Sequence, residues 1–218
     1  MQKYLNRKAA GLVLAQALMV YADDEAVQIL ALPRGGVPVA FEISKALHAP
    51  LDVFIVRKLG VPIHKELAMG ALATNGVCVF NQEIIAEYDI SQAQINAVIQ
   101  EEKTELERRE KLYRGTRPFP ILKNKKIILV DDGIATGASI RAAMQALRQF
   151  SPQQIIIAVP VADKEIIKRL KLEVDDFVCP LQPEHLNAVG AWYDDFPQTE
   201  DAEVKDLLTA ANAFSTVR

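Results

Sequence analysis

The chain has 218 residues, with 25 Lys+Arg against 28 Asp+Glu and a formal net charge of -3. Its 50% hydrophobic and 24% charged residues exclude a disordered or fibrous chain and suit one α/β domain over residues 1–218. No basic run exceeds Lys125-Lys126 or Arg108-Arg109, so a nucleic-acid polymer is disfavoured and any bound phosphate is expected on a small ligand.

At the N-terminus, Lys3, Arg7 and Lys8 precede an apolar run over residues 9–20 that imitates a secretory signal. Gln16 interrupts that run, which is too short to span a bilayer, and Asn6 is a good N-cap. The segment therefore reads as an amphipathic first helix, with no membrane partner and a cytoplasmic location expected. Residues 27–32 form the first strand candidate. The turn Pro33-Arg34-Gly35-Gly36 follows and opens a helix through residue 47. Residues 51–56 read as a second strand, and residues 57–66, broken by Gly60 and Pro62, as a loop. Residues 68–73 and 76–80 suggest a hairpin around Thr74-Asn75-Gly76.

Residues 91–112 are strongly helical, with Ser91 as N-cap and a charged run that reads as a solvated face. The run Ile127-Ile128-Leu129-Val130 is expected of a strand buried on both faces. A helix over residues 140–150, a strand over 155–161, a helix over 163–171 and a strand over 174–179 follow. A last helix lies around residues 202–213. This alternation marks a central, mostly parallel sheet flanked by helices. Cys78 and Cys179 lie far apart, in no CxxC pattern, and with only 3 histidines the chain argues against structural zinc or a disulfide framework. Both cysteines have apolar neighbours and read as small buried hydrophobes.

The sharpest signal joins that four-residue aliphatic strand to Asp131-Asp132-Gly133-Ile134-Ala135-Thr136-Gly137-Ala138-Ser139. The strand delivers two carboxylates to the carboxyl edge of a parallel sheet, where doubly wound folds bind ligands. The small and hydroxylated residues Ala135, Thr136, Gly137, Ala138 and Ser139 then open a helix. Free N–H groups, the helix dipole and two hydroxyls make a cradle for a monophosphate. A single ligand that wants acids and an anion cradle together is a sugar phosphate: hydroxyls for the carboxylates, phosphate for the loop. A ribose 5-phosphate group meets both needs.

This pattern resembles the phosphoribosyl pyrophosphate (PRPP) motif of the type I phosphoribosyltransferases, which has four hydrophobic residues, two acids and a loop ending near Thr-Gly. Gly133 departs from it, because a hydrophobic residue is usual there. The Arg34, Gly35 and Gly36 turn looks like the family's pyrophosphate-binding loop, and the resemblance places a non-proline cis peptide between Pro33 and Arg34. Arg57 and Lys58, two adjacent cations at the expected end of the second strand, suit a pyrophosphate. With the following stretch they are similar to the Arg-Lys and mobile loop of adenine and orotate phosphoribosyltransferases. His64 and Lys65 in that stretch read either as site residues or as exposed loop residues.

The resemblance covers residues 27–161 and implies a type I phosphoribosyltransferase-like fold with a small C-terminal hood, placed at residues 180–196 plus the last helix. It implies a Mg2+-dependent transfer of ribose 5-phosphate from PRPP to a nitrogen acceptor, a nucleobase foremost, with release of pyrophosphate. Asp131, Asp132, Arg57 and Lys58 would be the catalytic set. Mg2+ would be held mostly through water by Asp131 and Asp132. Trp192 and Tyr193 are expected to border the acceptor or to pack the hood onto the sheet. The resemblance also admits a homodimer, since many relatives dimerise. Two rivals remain: a regulatory protein that binds PRPP without turnover, and a phosphoacceptor or phosphatase domain with Asp131 as nucleophile.

Overall fold

The computed structural model describes residues 3–215. In chain order the elements are α1 (Arg7–Ala17), β1 (Val27–Ala31), α2 (Gly36–Leu47), β2 (Leu51–Val53), β3 (Val56–Val61), β4 (His64–Ala73), β5 (Val77–Phe80) and α3 (Gln82–Glu87). There follow α4 (Gln92–Arg114), β6 (Lys126–Val130), α5 (Ala138–Arg148), β7 (Gln154–Ala158), α6 (Lys164–Leu170), β8 (Asp176–Val178) and α7 (Asp201–Ser215). The helix starts follow local chemistry. Asn6 caps α1 by accepting from the Ala9 N–H, and Ser91 opens α4 in a reciprocal capping box with Gln94.

The central sheet has five parallel strands in the order β2-β1-β6-β7-β8. Its interior strands are aliphatic at almost every position because both faces are covered. On β6, Ile128 and Val130 face a core shared with α1, α2 and α7, whereas Ile127 and Leu129 face one shared with α5 and α6. The central, mostly parallel sheet flanked by helices that the sequence leads one to expect is the architecture observed.

Two expectations change between β2 and β4. Residues 51–56 are not one strand: β2 ends at Val53, Phe54 and Ile55 are buried connectors, and Val56 begins a separate antiparallel sheet, β3-β4-β5. Residues 57–66 are not a loop either. They form most of β3, a tight turn and the start of β4, with the pairing irregular around Gly60. A Cβ at Gly60 would stand 2.6 Å from the Lys65 carbonyl oxygen, so the glycine admits a close backbone approach rather than a break in structure. The expected hairpin of residues 68–80 is β4 and β5.

The segment after β8 crosses back over the sheet and is joined by the N-terminus. Tyr4 bridges to Tyr193, its N–H donating to the Trp192 carbonyl at 2.9 Å, and the Asp194 N–H donates to the Tyr4 carbonyl at 2.9 Å. Trp192 and Tyr193 are 8% and 4% exposed in a cluster with Tyr4, Ala10, Val161 and Leu186. Of the two roles expected for these residues, bordering an acceptor or packing, their burial in this cluster matches packing. Both cysteines are free thiols. Cys179 is buried, and burial pushes its thiol up to about 12, as befits an inert packing residue.

Candidate functional site

Two loops leave adjacent strands at the same level, since Ala31 and Val130 are register partners. The first follows β1. The Leu32 N–H donates to the Val130 carbonyl at 2.9 Å, the Pro33–Arg34 peptide is cis, and Gly35 and Gly36 lead into α2. The second follows β6 and carries Asp131 and Asp132. The glycine pair is where the two touch: a Cβ on Gly35 would lie 1.9 Å from Asp132 Oδ2, and one on Gly36 2.7 Å from the Val130 carbonyl oxygen. The sequence pattern explains each loop separately, and the close contact explains why both glycines lack side chains.

Beyond the acids, Gly137 sits in the left-handed region (φ 75) and turns the chain into α5 without a capping side chain. Around it lies a cavity of about 200 Å³ lined by Asp131, residues 133–140 and Val189. Thr136, Ala138 and Ser139 are exposed along it, while Gly137 lies beneath Ile166. The Ala138 N–H donates to Thr136 Oγ1 only at a long 3.5 Å, and a helix N-terminus with two hydroxyls beside it is suited to an anion.

The carboxylates differ in their surroundings. Asp131 Oδ1 accepts from the Asp132 N–H at 2.9 Å, yet burial, reinforced by the Asp132 charge, holds the Asp131 carboxyl well above the usual range. Asp132 is also raised, because its burial outweighs the Arg7 guanidinium beside it. Arg7 Nε donates to Asp132 Oδ2 at 2.9 Å, and the Tyr193 hydroxyl donates to the Asp132 carbonyl oxygen at 2.6 Å. Neither partner was expected from the sequence. Arg7 lies 125 residues from Asp132, and its only local signal was a basic residue in the first turn of α1.

The other expected site residues are distributed differently. Arg34 reaches toward α7, 3.7 Å from Asp201 Oδ1 and 3.9 Å from Glu200 Oε2. Arg57 and Lys58 were expected at the edge of the central sheet but lie on β3, where successive side chains take opposite faces. Arg57 is paired with Glu102 of α4 at 2.7 Å, and Lys58 with Glu66 at 3.3 Å. Lys58 and Lys65 line a separate cavity of about 220 Å³ against α4, and His64 is exposed at the start of β4. The hairpin cations are thus not brought into the cavity beside the acids.

For a divalent metal, Asp131 supplies hard carboxylate oxygens at the cavity wall, while Asp132 Oδ2 is already engaged by Arg7. Among the described residues no group of three or more His, Cys, Asp or Glu side chains is gathered to hold a metal. A donor set this sparse suits Mg2+, which keeps waters and shares ligand oxygens, better than a cation needing a protein cage.

Comparisons with known proteins identify the family of the chain. The family model described as phosphoribosyl transferase domain matches residues 64–190, a span that includes the acid motif and begins after the glycine turn. The Mycobacterium tuberculosis H37Rv protein named putative phosphoribosyl transferase Rv0571c is 42% identical over 212 residues, covering 97% of this chain and 48% of that protein. The chain therefore spans about half the length of the curated relatives it matches first. The bifunctional protein PyrR of Listeria monocytogenes serotype 4a is 32% identical over 149 residues, 66% of this chain and 74% of that one. Among solved structures, the protein TT1426 of Thermus thermophilus superposes with a TM-score of 0.85 at 38% identity, covering 96% of this chain and 99% of that chain.

Proposed function

The chain belongs to the phosphoribosyl transferase domain family, and from that membership we propose that it transfers ribose 5-phosphate from PRPP to a nitrogen acceptor, a nucleobase foremost, releasing pyrophosphate. The observation that carries this reading is the junction of the two loops, with Gly35 packed directly on Asp132 and the α5 cradle opening beside Asp131. One ligand with a phosphate at one end, a diol in the middle and a pyrophosphate at the other would span all three features.

In this reading the N–H groups of residues 135–139 and the Thr136 and Ser139 hydroxyls hold the 5-phosphate. Asp131 and Asp132 accept from the ribose hydroxyls. The Arg34, Gly35 and Gly36 turn offers N–H groups to the pyrophosphate. Mg2+, held by Asp131 and through water by Asp132, would neutralise charge on the leaving group. The C1–O bond to pyrophosphate breaks as the acceptor nitrogen bonds to C1 with inversion, so the protein's part is electrostatic placement more than proton transfer. Arg57 and Lys58 would join only after leaving Glu102 and Glu66. With Trp192 and Tyr193 buried, Val189 is the residue of the segment after β8 that lines the cavity. The partners are then PRPP, pyrophosphate and a small acceptor; no helix among the described residues is long and apolar enough to cross a membrane.

The test is pyrophosphate release from PRPP and Mg2+ in the presence of purines, pyrimidines and small amines. Release with one acceptor class supports the transferase. A regulatory reading draws on the ion pairs that hold Arg57 and Lys58. It expects calorimetric binding of PRPP with no release for any acceptor. Absence of both binding and release overturns the two readings together.

A further inference from the structure

Asp132 is held by residues that the transferase reading does not use. Arg7 reaches across from α1 with Nε on Asp132 Oδ2 at 2.9 Å, Nη1 on the Pro197 carbonyl at 2.6 Å and its guanidinium 3.7 Å from the Phe196 ring centroid. Phe196 in turn stacks on Tyr193 with centroids 4.7 Å apart, and the Tyr193 hydroxyl donates to the Asp132 carbonyl. The Arg7 and Asp132 side chains are only 11% and 16% exposed. An arginine so enclosed has lost most of its rotamer freedom, and its planar fork is set by three neighbours at once. Its grip is on Oδ2 and leaves Oδ1 without an Arg7 contact.

We propose that Arg7 is a positioning residue for Asp132: by occupying Oδ2 it orients the carboxylate so that Oδ1 faces the ribose hydroxyls of a bound sugar phosphate. This deepens the proposed function and rests on it, since it takes Asp132 as a ribose contact. The network also ties this orientation to the hood. The Arg7 contacts at Phe196 and Pro197 mean that α1, the acid motif and the chain before α7 set the carboxylate together. A purely architectural salt bridge would stabilise the fold without favouring sugar hydroxyls over phosphate.

The experiment compares the wild type, Arg7→Met and Arg7→Lys by calorimetry with ribose 5-phosphate, and with inorganic phosphate measured in competition. Phosphate alone reports the α5 cradle, whereas ribose 5-phosphate reports the cradle and the carboxylates. Arg7→Met is expected to weaken ribose 5-phosphate on the order of tenfold or more, as for loss of a hydrogen bond to a charged group, and to leave phosphate unchanged. Arg7→Lys should recover part of the loss, because an ammonium can reach Asp132 but cannot stack and bridge as the guanidinium does. Equal loss for both ligands, or no loss for either, overturns the proposal. If Arg7→Met fails to fold, Arg7→Lys decides on the same criterion. A wild type that binds phosphate but not ribose 5-phosphate overturns instead the reading of Asp132 as a ribose contact.

Discussion

Gly133 and Val189 compete for one volume: a Cβ built on Gly133 would stand 2.6 Å from Val189 Cγ1 and 3.0 Å from Cγ2. Val189 thus fills the space that a side chain at position 133, directly after the two acids, would occupy. Gly133→Val should destabilise the protein by about 1–3 kcal/mol through overpacking. Adding Val189→Ala should return part of that loss. Chemical denaturation of the two single variants and the double variant measures the coupling, and strictly additive effects would refute the shared volume.

Thr136 stands at the mouth of the α5 cradle, partly open to solvent. Thr136→Val keeps the shape and deletes the hydroxyl, so binding of ribose 5-phosphate should weaken by about 1.5–3 kcal/mol. Its position at the mouth predicts little change in melting temperature. Unchanged affinity by calorimetry would move the phosphate site elsewhere.

Asp131 gives a pH dependence with a definite sign. Burial and the neighbouring Asp132 charge raise its folded-state value well above the ordinary 3.8. The folded protein thus holds a proton that the unfolded chain has released. Stability from this group is fully present below the ordinary carboxylate value and is lost as pH rises through the raised one. Asp131→Asn removes that loss. Its melting temperature should exceed that of the wild type at neutral pH, with the gap closing on acidification, while PRPP binding falls. A melting difference independent of pH would contradict this account.

What could be read in the sequence was chemistry carried by neighbours in the chain. The aliphatic run into Asp131 and Asp132, the Asn6 and Ser91 caps and the glycine turn each depend on a few consecutive residues. The departure of the chain after Val53 carries no such mark. Leu51 to Val56 is an unbroken β-forming stretch apart from Asp52, with no glycine or proline where it changes sheets. The Ile55 N–H there is satisfied by Thr74 Oγ1 at 2.9 Å, from 19 residues downstream. The same holds for Arg7, whose partners Asp132, Phe196 and Pro197 all come from later parts of the chain. Tertiary partners of this kind leave no periodicity for a sequence reading to find.

The strand order β2-β1-β6-β7-β8 also fixes where a ligand can enter. From β1 the chain crosses through α2 on one face to reach β2, and from β6 it crosses through α5 on the other face to reach β7. The two connections diverge between β1 and β6 and leave a topological switch point at their carboxyl ends. The glycine turn and the acid motif border that gap from either side. A ligand seated there would touch both halves of the sheet, so its grip would depend on loops that leave the sheet toward opposite faces.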